Sequence, residues 1–277
     1  MSRIQINGAN FYFEEHGQGP ETILFIHSFM MNCNMYDRQV EALKDRYRVI
    51  IYDLRGHGRS EVTPGGYNIY EQVEDAVGLI QQLELAPCHV VGMSIGGHIT
   101  MRLAKKYPQL VRSQILTSTS AAAEDPADAR QFKLLGFIHN RISRSFAIKQ
   151  VKPILFGEKF LNDPKAAETC SYWHGQFMRN DKHSFAKTLD GILARDNLLK
   201  EFGRIEIPTL IIAGEADAAC DPVQSERMHT KLPNSQLVKI PDVGHTPPVE
   251  APEIVNSAIS EFLVSLPSLS KKEEVPS

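Results

Sequence analysis

The sequence predicts an α/β fold, a mostly parallel eight-stranded sheet flanked by helices with a helical cap inserted into it, and three observations carry that expectation. Short apolar runs bounded by turn residues recur along the chain, and most are followed by longer segments with helical spacing, the pattern of successive strand-helix units. Between 121 and 204 the alternation stops and the pattern becomes helical throughout. The 277 residues, 42% of them hydrophobic, suffice to bury the core of one large domain carrying such an insertion.

The first two strands, Arg3 to Ile6 and Asn10 to Glu15, flank Asn7-Gly8, a hairpin signal, so the sheet is expected to start antiparallel. Further strands are predicted at Thr22 to His27, Arg48 to Tyr52, Cys88 to Gly92, Val111 to Thr117, Thr209 to Ala213 and Gln236 to Ile240. Helices are predicted at Met35 to Lys44, Tyr70 to Leu83, Ile95 to Tyr107, Pro222 to Lys231 and Pro252 to Val264, with Tyr107-Pro108 and Leu232-Pro233 marking two ends. Polar breaks at Asn162-Asp163-Pro164 and Asn180-Asp181 divide the helical insertion. The expected organisation is a core of 1–120 and 205–266, a cap of 121–204, and a disordered tail of 267–277, whose Ser, Lys, Glu and Pro lack periodicity.

Thirty basic against 33 acidic residues give a net charge of −3 with both signs spread along the chain, which excludes a generic nucleic-acid binder. Cys33, Cys88, Cys170 and Cys220 are far apart and form no C-x-x-C pair, so neither a zinc site nor a disulfide framework is expected, only reduced, buried thiols. The N-terminus turns polar at once, without a signal-peptide core, and no apolar run approaches membrane-spanning length. These features predict a soluble cytoplasmic protein, a monomer or small homo-oligomer, with no nucleic-acid or membrane partner.

The chemistry concentrates at Gly92-Met93-Ser94-Ile95-Gly96, which follows the apolar run Cys88-His89-Val90-Val91 and opens a helical pattern. A G-x-S-x-G between strand and helix is a nucleophile elbow, a turn so tight that small residues must flank the serine. It pushes Ser94 Oγ above the sheet edge and aims the Ile95 N–H where an oxyanion would form. A serine hydroxyl is a weak nucleophile and needs a base oriented by a third group. His245, in the loop after the last strand, is the best-placed of ten histidines, and the chain order Ser…Asp…His fits. Asp217, in the turn beyond the strand at 209, leads for the orienting carboxylate over Glu215 and Asp221, and Asp221 reads better as the cap of the helix at Pro222. A second oxyanion donor is expected from the loop after the third strand, at Phe29 N–H, whereas His27 there reads as a loop-shaping residue.

Asp53-Leu54-Arg55-Gly56-His57-Gly58-Arg59-Ser60 begins a G-x-G but has Glu61 at the sixth position and no following helix, so it reads as a structural turn rather than a dinucleotide site. Substrate-binding candidates are His27, Met30, Met93, Trp173 and His174, with Phe177 and Met178 nearby in the cap. Arg130, Lys133, Arg141, Arg144, Lys149 and Lys152 are candidates for attracting an anionic substrate, although charges at helical spacing usually form a solvated face.

Taken together, His27-Ser28-Phe29, the D-L-R-G-H-G-R-S turn at 53, G-M-S-I-G-G at 92, G-E-A-D at 214 and Gly244-His245 resemble the α/β-hydrolase superfamily over almost the whole chain. Within it the chain looks most like the small esterase and lactonase group that includes 3-oxoadipate enol-lactonases. The resemblance implies Ser94 as nucleophile, Asp217 as acid, His245 as base and the N–H groups of Phe29 and Ile95 as oxyanion hole, with no metal or organic cofactor. Ser28 departs from the pattern, since many relatives have glycine after the loop histidine. The expected function is hydrolysis of a small-molecule carboxylic ester or lactone through an acyl-enzyme. The alternatives are a carbon-carbon bond hydrolase on the same residues and a small-molecule signalling receptor with slow turnover. Dehalogenase and epoxide hydrolase chemistries would need a carboxylate at 94.

Overall fold

The computed structural model describes residues 2–267. All eight predicted strands form one sheet in the order β1-β2-β4-β3-β5-β6-β7-β8. They are β1 Ser2–Ile6, β2 Ala9–His16, β3 Thr22–Ile26, β4 Arg48–Tyr52, β5 Cys88–Met93, β6 Val111–Thr117, β7 Thr209–Gly214 and β8 Ser235–Ile240. The β1-β2 and β2-β4 pairs are antiparallel and every other pair is parallel. Asn7 (φ 47°) and Gly8 (φ 74°) both turn left-handed between the partners Ile6 and Ala9, the two-residue loop that suits strand twist.

Strand β3, Thr-Ile-Leu-Phe-Ile, is buried along its whole length because helices cover both faces. Leu24 and Ile26 point into a core shared with α2 (Ile69–Gln82) and α3 (Ile95–Lys106). Ile23 and Phe25 enter the opposite core with α1 (Asp37–Leu43) and α11 (Pro252–Ser265). Each such side chain contributes roughly 1.5–3 kcal/mol when fully buried. Sequence chemistry sets the helix ends: Asn68 and Glu71 close a capping box on α2, and Asp221 caps α9 (Pro222–Lys231) by accepting from Val223 N–H at 2.9 Å. The helix predicted from Met35 begins instead as a 3-10 turn, Cys33–Tyr36, that runs into α1.

Between β6 and β7 the chain is helical: α4 (Pro126–Phe137), a π-helical turn (Ile138–Ile142), α5 (Arg144–Leu155), α6 (Glu158–Asn162), α7 (Ala167–Arg179) and α8 (Lys182–Leu193). The polar breaks read from sequence fall at the ends of α6 and α7. A short α10 (Pro247–Glu250) precedes α11. Cys33, Cys88 and Cys170 are buried free thiols, but Cys220 is only half-buried, because it borders a cavity. Among the described residues no helix is long and apolar enough to cross a membrane, and no cluster of metal-ligating side chains occurs. The tail expected to be disordered lies, beyond Pro267, outside the described residues.

Candidate active site

Ser94 sits between β5 and α3 with φ 54° and ψ −114°, a backbone region that side chains other than glycine rarely occupy. The flanking glycines make this possible. A Cβ on Gly92 would lie 2.3 Å from Gly96 O and Thr100 Oγ1, and one on Gly96 would lie 2.1 Å from Ile26 O. The turn is pinned by Ser94 N–H donating to Thr117 O at 3.0 Å and by the Thr119 hydroxyl donating to Ser94 O at 2.9 Å.

His245 and Asp217 arrive from the loops after β8 and β7 and are both buried. His245 Nδ1 lies 3.0 and 2.9 Å from the two Asp217 carboxylate oxygens, so it carries the proton and leaves Nε2 with a free lone pair. Asp217 Oδ1 also accepts from Ala219 and Cys220 N–H, each at 2.8 Å, which fixes the carboxylate. The Ser94 hydroxyl has no hydrogen-bond partner among the described residues, but it and His245 line the same cavity. Such contacts commonly tighten only when substrate is bound. Neither Phe29 N–H nor Ile95 N–H, the first of α3, donates to a protein acceptor among the described residues.

That cavity, about 460 Å³, lies between the sheet's C-terminal edge and the helical insertion. Ser94, His245, Phe29 and Met30 form its floor, while Phe132, Leu135, Ile148, Val151, Leu189 and Ile192 form an apolar roof. The other substrate candidates lie elsewhere. Met93 is fully buried in β5, and Trp173 packs beside Phe177 at a ring separation of 6.3 Å in the apolar core, because α7 turns its buried face away from the cavity. His174 is exposed on the opposite face of α7, beside a different surface pocket. His27 is a scaffold residue: Nδ1 donates to Ser28 O at 2.7 Å and Nε2 accepts Leu54 N–H at 2.8 Å. Burial, then His57, pushes its pKa down to about 4, so it stays neutral.

The D-L-R-G-H-G-R-S turn supports this loop from below. Asp53 accepts Cys33 N–H and Arg59 N–H, both at 2.8 Å, and Arg55 pairs with Asp75 through two hydrogen bonds.

Two residues at the site were not singled out from the sequence. Glu250 accepts from Gly244 N–H, Thr246 N–H and the Thr246 hydroxyl at 2.8–2.9 Å, holding both neighbours of His245. His98 lines the cavity and donates from Nδ1 to Ser120 O at 3.1 Å. Burial, reinforced by Arg195 and Arg102, drives its pKa well down, so it lines the cavity as a neutral imidazole. The signal was its position four residues after Ser94, on the same helix face.

Arg130, Lys133, Arg141, Arg144, Lys149 and Lys152 do not line the cavity. Among the described residues two guanidiniums do: Arg195, paired with Glu124 at 2.6 Å, and Arg227 on the exposed rim with Asp125, Asp128 and Asp221.

Residues 18–251 match the family model described as serine aminopeptidase, S33. The putative 2-succinyl-6-hydroxy-2,4-cyclohexadiene-1-carboxylate synthase of Bacillus subtilis (strain 168) is 28% identical, over 91% of this chain and 94% of its own. A thermophilic esterase from Thermogutta terrifontis superposes with a TM-score of 0.88 at 29% identity, covering 95% of this chain and 98% of its own. The enol-lactonase from Burkholderia xenovorans LB400 also reaches a TM-score of 0.88, at 24% identity, covering 95% and 100%.

Proposed function

Because the chain belongs to the α/β-hydrolase family described as serine aminopeptidase, S33, we propose that it is a serine hydrolase cleaving a neutral carboxylic ester or lactone through an acyl-enzyme. In this reading His245 Nε2 takes the Ser94 proton as Oγ attacks the carbonyl carbon, and Asp217 stabilises the resulting imidazolium. The N–H groups of Phe29 and Ile95 hold the oxyanion, each worth roughly 3–4 kcal/mol in the transition state. The tetrahedral intermediate collapses as His245 returns the proton to the leaving alcohol. Water, activated by the same imidazole, then releases the acid and restores Ser94. The observation that carries the proposal is His245 clamped through Nδ1 by Asp217 while sharing one cavity with Ser94.

Neutrality of the substrate follows from the charges around that cavity. A substrate carboxylate inside would meet an Arg195 already neutralised by Glu124 and a neutral His98, and an unpaired buried charge costs several kcal/mol.

A panel of p-nitrophenyl esters and lactones, run on wild type and Ser94→Ala with mass detection of an adduct at Ser94, tests the reading. We expect turnover by wild type and a loss on the order of 10⁶-fold in the variant, as in a comparable triad. An unchanged rate in Ser94→Ala defeats the assignment. Product analysis separates ester cleavage from carbon-carbon cleavage, and an adduct without turnover moves weight to a ligand sensor.

A further inference from the structure

The hairpin built by α4, the π-helical turn and α5 presents a surface unlike the rest of the molecule. From Ala129 to Gly157 there is no aspartate or glutamate, yet the segment holds Arg130, Lys133, Arg141, Arg144, Lys149 and Lys152, in a chain of net charge −3. None of these six forms an ion pair among the described residues; Arg144 instead donates to Met178 O at 2.6 Å. The same hairpin exposes Leu134 (59%), Phe137 (57%), Ile142 (69%) and Phe146 (52%). Arg130, Leu134 and Phe137 follow one stripe of α4. Large apolar side chains scattered singly are ordinary, but four on one hairpin among unpaired cations mark an interaction surface.

The chemistry of that surface selects its occupant. A second copy meeting this face with its own would set the exposed cations Arg130, Lys133, Arg141 and Lys149 against their counterparts, a like-charge juxtaposition that opposes association, while half-buried Arg144 and Lys152 turn toward α7. A phospholipid surface offers anionic headgroups to Lys and Arg and an acyl boundary to Phe, Leu and Ile. We propose that the α4-α5 hairpin docks this protein peripherally on an anionic lipid surface. No spanning helix is needed, so the lack of one among the described residues does not bear on it, and the inference departs from the absence of a membrane partner expected from composition. Carboxylates border the patch at its edges: Asp125 and Asp128 at the start of α4, Asp128 about 13 Å along the axis from Phe137 at the usual helical rise, and Asp181 at the start of α8, where it accepts from His183 and Ser184 N–H. The hairpin's inner side supplies Phe132, Leu135, Ile148 and Val151 to the cavity roof, so docking would place the cavity one helix layer from the lipid.

Flotation with vesicles of phosphatidylcholine alone, and of phosphatidylcholine mixed with phosphatidylglycerol, tests the docking without reference to hydrolysis, so its failure and that of the hydrolase reading are distinguishable. Wild type is expected to float with the mixed vesicles in low salt and to stay in solution with phosphatidylcholine. Arg141→Gln/Lys149→Gln should weaken partitioning about 25-fold, at roughly fivefold per cation. Phe137→Ser/Ile142→Ser should abolish it, while both double variants keep their circular dichroism spectrum and their rate on a soluble ester. No wild-type flotation, equal flotation with both vesicle types, or flotation unchanged in both double variants overturns the proposal. A solution dimer of wild type dispersed by Phe137→Ser/Ile142→Ser also overturns it, assigning the face to a second copy.

Discussion

The Glu250 carboxylate accepts Gly157 N–H at 2.8 Å, so the residue that braces the His245 loop also fastens that loop to the helical insertion. With Gly244 and Thr246 bound to the same carboxylate, the orientation of the imidazole depends on a side chain that never faces the cavity. Glu250→Ala removes the acceptor of four donors, and each one left unpaired costs about 1–3 kcal/mol. We expect a lower melting temperature together with a kcat reduced on the order of 10²-fold, as a small misplacement of a reacting group would cause, with KM little changed. A stable variant with normal kcat would show that the loop holds His245 unaided.

Asp217→Asn is expected to keep the fold and lower kcat on the order of 10⁴-fold. The amide oxygen would remain on the Ala219 and Cys220 N–H groups, turning the NH2 toward His245 Nδ1 and forcing the wrong tautomer. Steady-state kinetics beside a thermal melt checks this; a loss below tenfold would remove Asp217 from the machinery.

Gly96→Ala and Gly8→Ala should behave differently although both add one methyl group. At Gly96 the new Cβ meets backbone, Ile26 O at 2.1 Å, so α3 must leave β3, and we expect more than about 3 kcal/mol of destabilisation. At Gly8 nothing lies within 4 Å, and only the left-handed φ of 74° penalises alanine, by about 1 kcal/mol. Urea denaturation of the two variants measures the difference; equal losses would contradict the packing at the elbow.

Acid should destabilise the protein through its buried histidines. Burial lowers the folded pKa of His27 from 6.5 to about 4, so the unfolded chain binds protons first as pH falls. Stability is therefore complete above the unfolded value and is lost progressively between pH 6.5 and about 4, by roughly 3 kcal/mol for His27 alone. His98, also lowered by burial, acts in the same direction. Melting temperatures should fall from neutral pH toward that window; a flat or rising profile would mean these imidazoles are not held neutral.

The Arg195–Glu124 pair in the cavity predicts a preference among substrates. Wild type should hydrolyse p-nitrophenyl butyrate with a higher kcat/KM than the anionic mono-p-nitrophenyl succinate, and Glu124→Gln, which leaves Arg195 uncompensated, should narrow that gap about tenfold. A variant that leaves the ratio unchanged would show that the pair does not meet the substrate.

The sheet was legible because strand signals are local: β4 and β6 run as predicted, and each of the other strands has an end or both ends shifted by one residue. The elbow was legible for the same reason, since Gly92 and Gly96 answer a steric demand within a few positions of Ser94. The roof of the cavity was not. Helical spacing marks Trp173 as lying on a buried face but does not say which neighbour covers it, and α7 spends that face on the apolar core. Glu250 gave no signal because its partners are backbone N–H groups of Gly157, Gly244 and Thr246, which any sequence supplies. The hairpin cations were visible as charges, but their lack of partners and their distance from the cavity exist only in three dimensions.

The placement of the helical insertion between β6 and β7 sets an order of assembly. A ribosome completes the elbow with β5 and α3 long before it delivers β7, β8 and their loops, so a nascent chain carries Ser94 before Asp217 and His245 exist. On the proposed reading, hydrolysis would begin only once the two late loops close onto the sheet and bring Asp217 and His245 to the hydroxyl made earlier.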